Sequence, residues 1–385
     1  MTRIESLFEP LSFPCGAVAP NRVWLAPLTN GQSNDDGTLG DDEHRWLVRR
    51  AEGGFGVITT CAAYVGIDGK GWKGELGVDD DRDVSGLRTL ATAVHSHRAA
   101  TPNARRSSAT ETGSKGALCI AQIFHGGVRA PREQTGVQPW SASTWHEDAP
   151  DFEDPRPASE DDLARVIAQF GASARRCAEA GLDGVEIHGA HGYLPSQFLS
   201  RVFNQRDDRW GGSLENRSRL VREIVRAVRA AAPSGFVVGV RMSPEDFGYA
   251  RGLDLDETVE VARWLCDDGV DFIHLSLWRH ERNTVKRPAE HPLDVFRAAL
   301  PAGVPIVAAG AIWTVEEAVA TLAKGAAAVA LGRAAIVNPD WPKHVLEDAA
   351  WTPRRPPLRV EEYGDIAVSP RFIEYLRRFK NMVAD

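Results

Sequence analysis

Short, nearly continuous apolar runs recur along the 385-residue chain, at 22–28, 55–65, 117–124, 184–188, 236–242, 271–277, 304–310 and 326–332. Between them lie longer segments with a helical pattern, at 41–54, 84–99, 160–180, 214–232, 255–269, 291–300 and 314–324, and a last helix begins near Pro339. Uninterrupted apolar runs suit parallel strands covered on both faces. Strand then helix, eight times, predicts one (β/α)8 TIM barrel over residues 1–385. The helix punctuation agrees. Acids open 41–54, and bases followed by Gly53 and Gly54 close it. Ser159 precedes 160–180, and Thr314 with Glu317 forms a capping-box pattern. Three stretches stand outside the repeat. Residues 7–22 are turn-rich and predict an N-terminal cap hairpin. Residues 101–116 are low in hydrophobicity and predict an exposed loop insert. Residues 125–158 lack periodicity, hold Trp140 and Trp145 among several prolines, and predict a capping excursion after strand three.

Composition removes several classes of function. No run approaches the length of a membrane span, and the amino terminus has no signal-type apolar core, so a cytoplasmic protein is expected. A formal net charge of -8 gives no support to nucleic-acid binding. The five cysteines are scattered, without a Cys-x-x-Cys, so neither an iron–sulfur cluster nor a zinc knuckle is signalled. No G-x-G-x-x-G follows a strand, which argues against a Rossmann domain.

Candidate chemistry gathers in GVEIHGAHGYL, residues 184–194. His188, His191 and Tyr193 follow a short buried strand, with Gly189 and Gly192 where the chain turns and bulk would obstruct a ligand. Three hydrogen-bond donors at a strand end suit an oxyanion followed by proton delivery. His-x-x-His also fits a metal pair or a purely structural pair, and this stretch alone does not choose. The other strand ends weigh in: Pro27, Leu28 and Thr29, then Ala62, Gln122 with Phe124, Arg241, Trp278, Gly310, and Gly332 with Arg333. No carboxylate stands at the mouth near the histidines, and Arg241 would repel a cation. Gly310 and Gly332 singly read as turn residues. Together, after strands seven and eight and beside Arg333, they suggest a phosphate seat. A phosphate-bearing planar cofactor fits this set better than a metal.

The chain resembles the old yellow enzyme family of FMN-dependent ene-reductases over almost its whole length. The resemblance rests on APLT at 26–29, EIHGAHGYL at 186–194, FNQRDDRWGGSLENR at 203–217 and the Gly-Arg pair after strand eight. It implies FMN as cofactor, NAD(P)H as transient reductant, and an activated alkene as small-molecule substrate (an enone, enal, maleimide or nitroalkene). Homo-oligomerisation stays open. By the resemblance, Ala26, Pro27, Leu28 and Thr29 would line the flavin, with the Thr29 hydroxyl tuning its potential. Ala62 and Gln122 would hold the ring, and Arg241 would sit by its pyrimidine side. Gly310, Gly332 and Arg333 would hold the phosphate, with Ala309 and Leu331 beside them. His188 and His191 would bind the substrate oxygen, and Tyr193 would give the proton. Phe124 and Trp278 would shape the pocket, with Arg279 and His280 as further walls. Asn30 and Gly31 suggest a wider rim than in many relatives. The 203–217 run reads as serving the fold. Rival readings are an oxidative demethylase of a small amine on the same barrel, a metal-dependent hydrolase, and a non-catalytic barrel.

Overall fold

The computed structural model describes residues 4–102, 116–150 and 152–384. Most of the insert expected at 101–116 lies outside the described residues. Eight parallel strands close a barrel: Val23–Leu25, Val57–Tyr64, Leu118–Phe124, Gly184–Gly189, Val237–Met242, Phe272–Ser276, Ile306–Ala309 and Ala328–Leu331. They are the first to eighth barrel strands below. Closure comes where the eighth pairs with the first, Leu331 opposite Leu25. The first strand stops at Leu25, short of the apolar run that predicts it. Ala26 still donates to the Leu331 carbonyl at 3.0 Å, but Pro27 has no N–H to carry the ladder on.

The helices lie where periodicity puts them, within a few residues. Thr314 and Glu317 form the capping box their sequence suggests, and Ser159, where the sequence predicts a helix start, forms one with Asp162. Several short helices have no counterpart in the apolar pattern, among them Leu194–Leu199, directly after the fourth strand, and Pro370–Leu376 near the end of the chain. The basic end of helix Asp41–Glu52 is not a solvated face. Arg50 is fully buried on the Trp46 ring and donates to the carbonyls of Ala335, Ile336 and Ile366. Those carbonyls are otherwise orphans at a helix end or turn.

The amino end of the barrel is sealed. Leu11–Ser12 and Val18–Ala19 form the antiparallel cap hairpin. Phe13 from its turn meets Trp24 and Phe272 at ring distances of 5.9 and 6.0 Å, and those two meet edge-on at 5.3 Å. Gly239 makes room: a Cβ there would stand 2.1 Å from the Phe272 ring. The excursion after the third strand carries a turn, Gly127–Arg129, and two short paired strands, Trp140–Ser141 and Arg156–Pro157. The 203–217 run braces it. Arg206 donates to the carbonyls of Ala142 and Ala158, and Asn204 to those of Phe198 and Trp210.

Candidate active site

The fourth strand turns sharply at its carboxyl end. His191 adopts φ +58°, an uncommon left-handed conformation for a non-glycine residue. It is held there from both sides: its N–H reaches Ser243 Oγ at 3.3 Å, and its carbonyl accepts from Arg129 at 2.8 Å. Gly192 follows at φ +72°, and a Cβ there would meet the Tyr249 carbonyl at 2.4 Å. The glycine is therefore required by the tight turn expected here and by close approach of the protein's own backbone. Gly189 is similar, facing the Arg241 carbonyl at 3.0 Å.

This turn brings the three donors together. His188 Nε2 and His191 Nδ1 are 3.2 Å apart, and the Tyr193 ring centre is 4.7 Å from that of His188. The Ala190 N–H donates to His188 Nδ1 at 3.2 Å. A neutral His188 therefore carries its proton on Nε2. Both imidazoles are held neutral. Burial pushes the His188 pKa well below its ordinary value, and the charges of His191, Arg241 and Arg129 add to this. Burial and the two guanidiniums act likewise on His191. Burial pushes the Tyr193 phenol up, opposed by Arg129, so it stays protonated at neutral pH.

Beneath them is a buried polar floor. Glu186 accepts from Gln122 Nε2 at 2.6 Å and pairs with His274 Nδ1 at 2.7 Å. Burial alone would raise the Glu186 pKa, but His274 and Arg241 outweigh it and the carboxyl is lowered. With Glu186 thus engaged, His188 and His191 have no carboxylate as a third ligand. Among the described residues, no three His, Cys, Asp or Glu side chains gather as metal ligands would. Arg241 is buried, donates to Ser276 Oγ at 3.2 Å, and leaves its Nε with no partner among the described residues. A buried orphan donor calls for an acceptor on that face.

Arg241 also lines a cavity with Ala26, Leu28, Ala309, Gly310, Gly332 and Arg333, so the first, fifth, seventh and eighth strands contribute to one wall. Leu331 does not: it is fully buried in the core between barrel and helices, and Ala330 lines the cavity instead. Any cofactor contact by Leu331 is confined to its backbone. A Cβ on Gly310 would crowd His280 N and Leu277 Cβ, both at 2.9 Å, so protein packing already demands this glycine. Pro27 is buried and Thr29 partly so, and Thr29 lies near enough to the Tyr375 phenol to lower its pKa against the effect of burial. Ala62 packs with Tyr64, Phe124 and Tyr193 in one small cluster, where Phe124 meets Tyr193 edge-on at 5.0 Å.

The rim departs from expectation. Trp278 is 57% exposed and touches Phe247 at 5.3 Å, while Phe247 in turn faces His191 at 5.9 Å. Phe247 thus stands between Trp278 and the histidines. Arg279 is turned to Glu281, and His280 engages Gly310 through its backbone. Asn30 is fully buried, its Oδ1 accepting from the Gln32 N–H at 2.9 Å, so it does not widen the mouth. Two features escaped sequence reasoning. Arg129 lies between two rings, 4.4 Å from the centre of Tyr193 and 4.2 Å from that of Tyr249. Tyr375 reaches Thr29 from the C-terminal helix. Arg129 belongs to the aperiodic excursion and Tyr375 to the C-terminal region, so neither stands at a strand end.

With this geometry in hand, comparison with known proteins gives a consistent answer. The model of the NADH:flavin oxidoreductase / NADH oxidase family matches residues 6–101 and 106–350. The chain belongs to that family. A probable NADH-dependent flavin oxidoreductase of Bacillus subtilis is 34% identical over 355 residues, covering 90% of this chain and 89% of that protein. An NADH:fumarate oxidoreductase of Klebsiella pneumoniae is 32% identical over 351 residues; 89% of this chain matches, but only 36% of that protein. The old yellow enzyme homologue of Zymomonas mobilis superposes with a TM-score of 0.76 at 27% identity, covering 93% of this chain and 96% of that one. Morphinone reductase gives a TM-score of 0.77 at 25% identity, with 93% and 94% covered. This flavin oxidoreductase is thus an enzyme that uses FMN, with NAD(P)H as reductant. No described helix is long and apolar enough to cross a membrane.

Proposed function

We propose that this flavin oxidoreductase reduces activated C=C bonds: enones, enals, maleimides and nitroalkenes. The carrying observation is the pair of neutral imidazoles, His188 Nε2 and His191 Nδ1 at 3.2 Å, beside the protonated Tyr193. An alkene conjugated to an oxygen accepts hydride at its β-carbon only if the growing charge on that oxygen is stabilised. Neutral N–H donors fixed in a buried site do this without reorganisation. His188 and His191 would bind the oxygen, and Tyr193 would donate its phenolic proton to the α-carbon. Phe124 fixes the Tyr193 ring edge-on, and Arg129 on the ring face favours the phenolate left behind.

The cofactor's residues fit the group. Arg241, with its orphan Nε, would meet the polar edge of the ring, and Gln122, anchored by Glu186, would face it from the third strand. Ala26, Pro27, Leu28 and Ala62 would lie along the ring, and Ala309, Gly310, Gly332 and Arg333 would take the phosphate side. When bound, FMN supplies the hydride that it receives from NAD(P)H. Oxidation of a small amine is disfavoured by charge. Arg241 and Arg129 both act on the histidines, and an ammonium would meet the same two cations.

The test is anaerobic. NAD(P)H should bleach the flavin, and a panel of enones, maleimides and nitroalkenes should restore its colour. Bleaching by an N-methyl amine, with no alkene restoring the colour, would replace this proposal with the demethylase.

A further inference from the structure

Ser276 ends the sixth strand, is buried, and has two hydrogen bonds among the described residues. Its Oγ lies 3.2 Å from Arg241 Nη2 and 2.7 Å from His191 Nε2. A guanidinium N–H can only donate, so Arg241 occupies a lone pair of this oxygen. The hydroxyl hydrogen is then left for His191. We infer that Ser276 sets the tautomer of His191: its O–H donates to Nε2, and the ring proton is held at Nδ1. The claim rests on the alkene reading above and sharpens it.

The consequence lies at the other side of the ring. His188 already carries its proton on Nε2, because the Ala190 N–H occupies Nδ1. With His191 protonated at Nδ1, two N–H groups start 3.2 Å apart, on facing nitrogens that the other His191 tautomer would join by a hydrogen bond. Two donors cannot bond each other. One oxygen placed roughly 3 Å from each satisfies both, which is the demand of a developing enolate or a bound phenolate. The competing arrangement has His188 Nε2–H donating to His191 Nδ1. It satisfies that pair, but strands the Ser276 hydrogen and aims the only N–H of His191 at Ser276. The substrate oxygen would then meet one donor instead of two. Ser276 is therefore a positioning residue, and it links Arg241 to the oxygen seat.

The test uses the FMN-loaded full chain with ¹⁵N-labelled histidine. NMR is recorded with and without p-hydroxybenzaldehyde, and the His191 signals are assigned by their loss in His191→Asn. The expected result is a protonated Nδ1 and a bare Nε2 in the phenol-bound wild type. Ser276→Ala should weaken phenol binding about tenfold, and Ser276→Thr, which keeps the hydroxyl, should restore it to within about twofold. A His191 proton on Nε2 in the phenol-bound wild type overturns the inference. So does a Ser276→Ala variant with unchanged affinity and unchanged tautomer. If Ser276→Ala loses its flavin, the wild-type spectrum and Ser276→Thr still decide. If wild type binds no phenol yet carries the Nδ1 proton, the alkene reading fails and the Ser276 relay stands.

Discussion

The two ends of this barrel are built on opposite principles. At the amino end, Phe13, Trp24 and Phe272 fill the interior with rings, and a hairpin closes it. At the carboxyl end the interior positions hold Gln122, Glu186, His188, Arg241, His274 and Ser276, all buried, with Gln122, Glu186 and His274 hydrogen-bonded in a chain and Arg241 bonded to Ser276. Burying such groups costs stability unless each finds a partner. Arg241 Nε and His274 Nε2 find none among the described residues. One end is packed to hold the fold, and the other keeps polar capacity in reserve for what binds there.

Substitutions should therefore separate stability from chemistry. The largest effect is expected at the packed end. Trp24→Ala should cost ~3–5 kcal/mol of unfolding free energy, read from denaturant midpoints. The flavin spectrum of whatever remains folded should be unaltered; a perturbed spectrum with unchanged stability would invert the comparison. At the polar end His188→Ala should slow reoxidation by an enone by ~10²–10³, as for loss of an oxyanion donor, and should weaken phenol binding. A large drop in stability with normal reoxidation would make the histidine a packing residue.

Arg129→Met is a finer probe. It removes the cation from the Tyr193 ring face, so the phenol should become harder to deprotonate. Protonation of the alkene should slow about tenfold, and the alkaline limb of its pH profile should move to higher pH. An unmoved limb would leave Arg129 as a tie between the excursion and the His191 carbonyl.

The smallest effect expected is in stability against pH. Burial and nearby cations depress the His188 and His191 pKa values in the folded protein. Unfolded imidazoles take up protons near pH ~6.5 while the native ones do not. Their contribution is therefore intact above that pH and is lost as pH falls below it, towards the native pKa values. Replacing both by Asn should flatten the stability profile between about pH 7 and 5; an unchanged slope would mean the native histidines titrate normally.

What the sequence made legible follows from the same contrast. Parallel strands covered on both faces read as apolar runs, and the chemistry follows their ends, so His188, His191, Tyr193, Gln122 and Arg241 could be found by position. Facing could not. In an all-apolar strand such as Ala328–Leu331 nothing tells the inward Ala330 from the outward Leu331. Arg129 and Tyr249 sit in segments without periodicity, far apart in the chain, so the stacking of Arg129 between Tyr193 and Tyr249 left no local signal. Tyr375 lies beyond the last barrel strand and beyond the residues matched to the family. Arg50 read only as part of the basic end of its helix, and only tertiary structure shows the carbonyls that claim it.

The task proposed for the polar end is to stabilise an oxyanion and hand over one proton. Stopped-flow measurement of both half-reactions of Tyr193→Phe tests that most directly. The account predicts reoxidation by an enone slowed by ~10²–10⁴ while reduction by NAD(P)H keeps most of its rate. Equal losses in the two half-reactions, or none in either, would contradict it.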